Sequence, residues 1–143
     1  MLNYKFVAEQ LNDGSIVRRP KIKVCLRGSK SSMNFLALLD SGTDITILPK
    51  AIADFLGLDY DETEKTEFFG FGKEAFEAVQ STVDIMFLSS ALRETSNLRN
   101  IPVLIPLAGE EKEPVLGCKG VFSTLKITFV NGKKIQITST KQN

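Results

Sequence analysis

The chain has 143 residues, 43% of them apolar and 24% charged, and its 18 basic and 17 acidic side chains leave a net charge of +1. That fits a single soluble globular domain with one modest core, and it offers no field to hold nucleic acid or an anionic membrane surface. The sequence has 0 histidines, which excludes Ser-His-Asp and Cys-His catalysis and any zinc site built on imidazole.

Along the chain, Met1 to Gln10 mixes polar and apolar residues without the apolar run of a signal peptide. No later stretch approaches the ~20 apolar residues that cross a bilayer, so a cytoplasmic protein is expected. Lys21 to Arg27 alternates, with Ile22, Val24 and Leu26 on one side, as a half-buried strand does. Phe35 to Leu39 and Ile45 to Leu48 are apolar runs of strand length. Pro49 then opens and Gly57 closes a short segment whose Ile52, Phe55 and Leu56 share a helical face.

Thr66 to Phe69 and Phe76 to Val79 read as two hairpin arms around a glycine-containing stretch. Val83 to Leu88 and Val103 to Leu107 read as separate strands, with residues 89–100 and 109–113 as exposed polar loops. A single helical turn is expected around Lys119 to Ser123. Leu125 to Val130 and Lys133 to Thr138 are joined by Asn131-Gly132, the favoured two-residue hairpin turn. The fold class expected is mainly β, one domain over 1–143 with its core in about 20–138. Cys25 and Cys118 lack metal-site spacing and read as half-buried thiols. No metal or other cofactor is implied. Carboxylates remain as the agents of acid–base chemistry near neutral pH.

The segment from Phe35 to Pro49 is unusual on physical grounds. Two apolar strands flank Asp40-Ser41-Gly42-Thr43-Asp44, a turn with two carboxylates. Asp, Ser and Gly are ordinary turn formers, but the apolar flanks draw this turn toward the interior, where carboxylates need partners.

Those five residues resemble the active-site signature of aspartic peptidases. Pro114-Val115-Leu116-Gly117 resembles the element that packs against the catalytic loop in that family, with Leu116 and Gly117 in contact with it. Phe68-Phe69-Gly70-Phe71-Gly72, between strand-like arms, resembles its flap. The chain looks closest to single-domain, retropepsin-like proteins of cellular genomes, a fold that is a closed β-barrel with one or two short helices. Only one Asp-Ser-Gly occurs, so the resemblance implies a homodimer in which a two-fold axis sets Asp40 opposite its own image.

By that resemblance Asp40 is catalytic. Two carboxylates a few ångströms apart cannot both ionise cheaply, so the pair shares one proton and activates a water against a peptide bond. Ser41 bonds across the dimer axis, Gly42 lets backbone approach the water, and Thr43 completes the loop. Phe69, Gly70, Phe71 and Gly72 form the flap, and an extended peptide or unfolded protein is the substrate.

Other readings stand beside these. Gly70 and Gly72 also suit a plain hairpin turn, and Gly117 also suits a strand end. The Phe68, Phe69, Phe71 and Phe76 cluster reads as core, with substrate pocket as the alternative. Asp44 reads as structural or substrate-positioning. Viral relatives place an arginine after the downstream glycine to pair with it. Cys118 stands there instead, leaving Lys119 or local N–H groups as partners. In those relatives the chain ends interleave in a shared sheet, which Lys134 to Ile137 and Tyr4 to Val7 suit here. The alternative function is a non-catalytic dimerisation or peptide-binding module on the same fold.

Overall fold

The structure is a computed structural model and describes residues 1–69, 74–89, 94–109 and 112–139. Near the N-terminus are β1 (Leu2–Lys5), β2 (Val7–Gln10) and β3 (Ile16–Arg19), followed by β4 (Lys21–Arg27), β5 (Ser32–Leu39) and β6 (Thr46–Ile47). A short helix α1 (Lys50–Leu56) precedes β7 (Thr66–Phe69), β8 (Ala75–Leu88) and β9 (Glu94–Pro106). The chain ends in β10 (Val115–Leu116), β11 (Leu125–Val130) and β12 (Lys134–Ser139).

Six strands close a barrel in the order β4-β5-β10-β6-β9-β8, and β8 pairs back onto β4. Closure removes the exposed edges that an open sheet would leave. β7 extends the sheet beyond β8 as the outer arm of a hairpin. The alternation read in β4 holds, because Ile22, Val24 and Leu26 are all buried and pack with Leu39, Leu48, Ile85, Phe87, Val103 and Leu116.

Helix α1 follows Pro49 and ends at Gly57, whose φ of 75° is open to glycine and strained for other residues. The buried face is Ala53 with Leu56, one turn apart. Phe55, expected on that face, is 52% exposed. Asn131 and Gly132 both take positive φ, 53° and 64°, as the turn between β11 and β12 requires.

Two further expectations need correcting. The arm at Phe76 and the strand at Val83 are one continuous strand, β8. Gln80-Ser81-Thr82 broke the apolar alternation, but Ser81 is satisfied by donating its hydroxyl to the Asp59 carbonyl at 2.5 Å. The polar stretch 89–100 is not all loop, because β9 begins at Glu94 and pairs along β8. A bulge at Asp84 shifts the register, and the carboxylate there accepts the N–H of Asn100 at 2.9 Å.

The chain-end strands form a small sheet of their own. β1 and β12 pair with each other inside one chain, Tyr4 against Ile135, with β11 on the other side of β12. Tyr4 also donates its hydroxyl to the Leu88 carbonyl at 2.7 Å, tying this small sheet to the barrel.

The β2–β3 hairpin was not anticipated. Lys21 holds it in place: the ammonium, in a residue 9% exposed, reaches Glu9 of β2 at 2.5 Å and Glu113 at 2.8 Å. Burial works against the Lys21 charge, but Glu113 and Glu9 more than offset it and leave the pKa raised. Glu113 directly precedes Pro114 and β10, so the same cation steadies the approach to the turn that carries Asp40.

Candidate active site

The turn from Asp40 to Ile45 joins β5 to β6, and β10 lies between those two strands. β10 runs parallel to β5, Leu116 beside Leu39, and antiparallel to β6, Val115 beside Ile47. The turn must therefore arch over the end of β10. Asp40 donates its N–H to the Leu116 carbonyl at 3.0 Å, and Cys118 and Lys119 donate theirs to the carbonyls of Thr43 and Asp44, both at 2.8 Å.

Gly117 sits under the arch because nothing larger fits. A Cβ there would lie 2.7 Å from the Thr43 oxygen and 2.8 Å from the Ile45 carbonyl carbon. Its N–H donates to Thr46 Oγ1 at 3.0 Å, and Thr46 is fully buried. Leu116 is equally buried. The sequence reading missed Thr46, although a hydroxyl within Ile45-Thr46-Ile47-Leu48 was a signal that some buried N–H needed an acceptor.

Asp40 is half-buried. One carboxylate oxygen accepts the Gly42 N–H at 2.9 Å and the other accepts the Thr43 hydroxyl at 3.0 Å. Both oxygens are thereby oriented by residues of the same turn. Ser41 is exposed; its carbonyl accepts the Cys118 thiol at 3.0 Å. Cys25 and Cys118 are both half-buried and form no disulfide.

Asp44 is exposed, and Lys119 serves its backbone carbonyl. No described residue bonds or ion-pairs with its carboxylate.

Asp40, Gly42, Thr43 and Asp44 open on a cleft of about 890 Å³. Its walls are largely apolar: Ile45, Ile47, Leu104, Pro106 and Val115 from the barrel, and Phe68, Phe69 and Phe76 from the β7–β8 hairpin. This corrects the reading of the phenylalanines as core. Phe69 is 74% exposed, and Phe68 and Phe76 face each other at 6.1 Å between ring centroids on the cleft wall. Gly70, Phe71 and Gly72 lie outside the described residues. Glu74 also lines the cleft and was not anticipated.

Among the described residues no helix is long and apolar enough to cross a membrane. No group of three or more His, Cys, Asp or Glu among them is placed to hold a metal ion.

No protein-family model matches the sequence, and no curated protein does. Solved structures do match. A retropepsin-like aspartic protease from Rickettsia conorii superposes with a TM-score of 0.53 at 16% identity, over 93% of this chain and 89% of that one. The EIAV protease, solved with an inhibitor, gives 0.48 at 20% identity over 76% of this chain and 88% of that one. The barrel closure, the β10 insertion beneath the Asp40 turn and the first of these superpositions agree, and the chain has the retropepsin-like fold.

Proposed function

We propose that two copies of this chain form a homodimeric aspartic endopeptidase whose catalytic pair is Asp40 from each copy. The observation that carries this reading is the Asp40 carboxylate itself. It is oriented by Gly42 and Thr43, opens on an apolar cleft, and belongs to a chain with the fold of aspartic proteases.

One chain supplies one such carboxylate. A two-fold axis beside the turn brings its mate within a few ångströms, and mutual repulsion then keeps one proton on the pair. The ionised member takes a proton from a water held between the two while that water attacks the scissile carbonyl carbon. The protonated member hydrogen-bonds to the carbonyl oxygen as charge builds there. The titration that results belongs to the pair. Ser41, exposed at the tip of the turn, suits a bond across the axis. The β7–β8 hairpin suits a flap that closes over an extended peptide bound as an added strand. A cytoplasmic location is part of this proposal.

The test is Asp40→Asn. The substitution removes the ionised base and the shared proton while retaining an acceptor and the side-chain shape. Cleavage of an unfolded protein should disappear, with the dimer retained in sedimentation. Undiminished cleavage by that variant ends the proposal.

A further inference from the structure

Among the described residues, the charges that line the cleft are all of one sign. Asp40, Asp44 and Glu74 line it, and no lysine or arginine does among the described residues. This is a local property, because the whole chain carries a net charge of +1. Glu77, further along β8, is by contrast paired, with Lys65 at 3.0 Å. Asp44 and Glu74 are exposed and have no such partner among the described residues. Asp44 stands on the floor beside Asp40, and Glu74 precedes β8 on the hairpin that forms the opposite wall.

We infer that Asp44 and Glu74 are specificity residues that select peptides carrying lysine or arginine on the flanks of an apolar cleavage site. The inference rests on the peptidase reading and adds the substrate class. The apolar wall between the two acids accepts the apolar centre of the peptide, and the acids meet its ends. In a two-fold dimer each flank faces the same pair of acids, so the preferred pattern is basic, apolar, apolar, basic around the scissile bond. An acidic flank meets the same carboxylates at close range and is rejected, which sharpens the choice further.

The experiment uses three peptides with one apolar core and flanks of lysine, glutamine or glutamate. At neutral pH and low salt, kcat/KM should fall in that order, by about fivefold per step. The spread should narrow as salt rises from about 0.05 M to about 0.5 M. It should also narrow in Asp44→Asn with Glu74→Gln. Affinities of the same peptides for Asp40→Asn, measured by fluorescence anisotropy, should show the same order without any turnover. Equal affinities of that variant for lysine and glutamate flanks, or no binding of any of the three, overturn the specificity assignment. Lack of cleavage of all three by the wild-type protein, with the affinity order intact, sinks the peptidase reading and leaves the charge selection standing.

Discussion

Gly117 lies so close to Thr43 that a single added carbon would stand 2.7 Å from its carbonyl oxygen. The contact is between two backbones, so no side-chain rotation relieves it. Gly117→Ala must push the Asp40 turn away from β10. We expect a loss of about 1–3 kcal/mol in urea denaturation. Peptide turnover should fall further than the stability loss explains, since the displaced segment carries the carboxylate. An unchanged midpoint with unchanged turnover would show that the arch is looser than the contact indicates.

Thr46 makes the complementary case. Thr46→Val keeps nearly the same shape but removes the oxygen that accepts the Gly117 N–H at 3.0 Å. A buried donor is then left without a partner, at a cost of about 1–3 kcal/mol. Thr128→Val, at an exposed position on β11, serves as the control and should change stability by less than about 0.5 kcal/mol. Equal effects from the two substitutions would remove Thr46 from the support of the turn.

Tyr4 gives the chain an alkaline limit. Burial pushes its phenol from 10.0 up to about 12. The folded state favours the protonated form, so this contribution is fully present below the unfolded value of 10.0 and is lost as pH climbs through about 12. Lys21, raised from 10.5 by Glu113 and Glu9 against its burial, adds a loss of the same sign as pH rises through its own folded value. Stability profiles of wild type and Tyr4→Phe isolate the tyrosine: the variant should decline less steeply between pH 10 and about 12. Parallel profiles would assign the decline to Lys21 and other groups.

Much of this was legible in the sequence, for local reasons. β4, the Pro49 to Gly57 helix and the Asn131-Gly132 hairpin are set by periodicity and backbone chemistry that neighbouring residues display. The Asp40 to Thr43 turn was legible because its polar residues interrupt two apolar runs. The β2–β3 hairpin was missed because its arms are weakly apolar. Its turn signal was present: Gly14 takes a φ of 85°, and Asp13 accepts the Ser15 N–H at 2.9 Å. The polar start of β9 was missed because its strand character comes from β8, a long partner that supplies backbone bonds whatever side chains it meets. The carboxylate of Glu74 and the cleft walls were not legible, since they depend on which distant strands face one another.

Thr46 and Gly117 are separated by 71 positions, yet the fixing of one depends on the other. During synthesis the segment with Asp40 leaves the ribosome long before the residues that brace it. A nascent or truncated polypeptide ending ahead of Val115 therefore holds the Asp40 turn without its brace. The turn that carries Asp40 is thus completed only by a strand that is made late, so its geometry is a property of the nearly full chain.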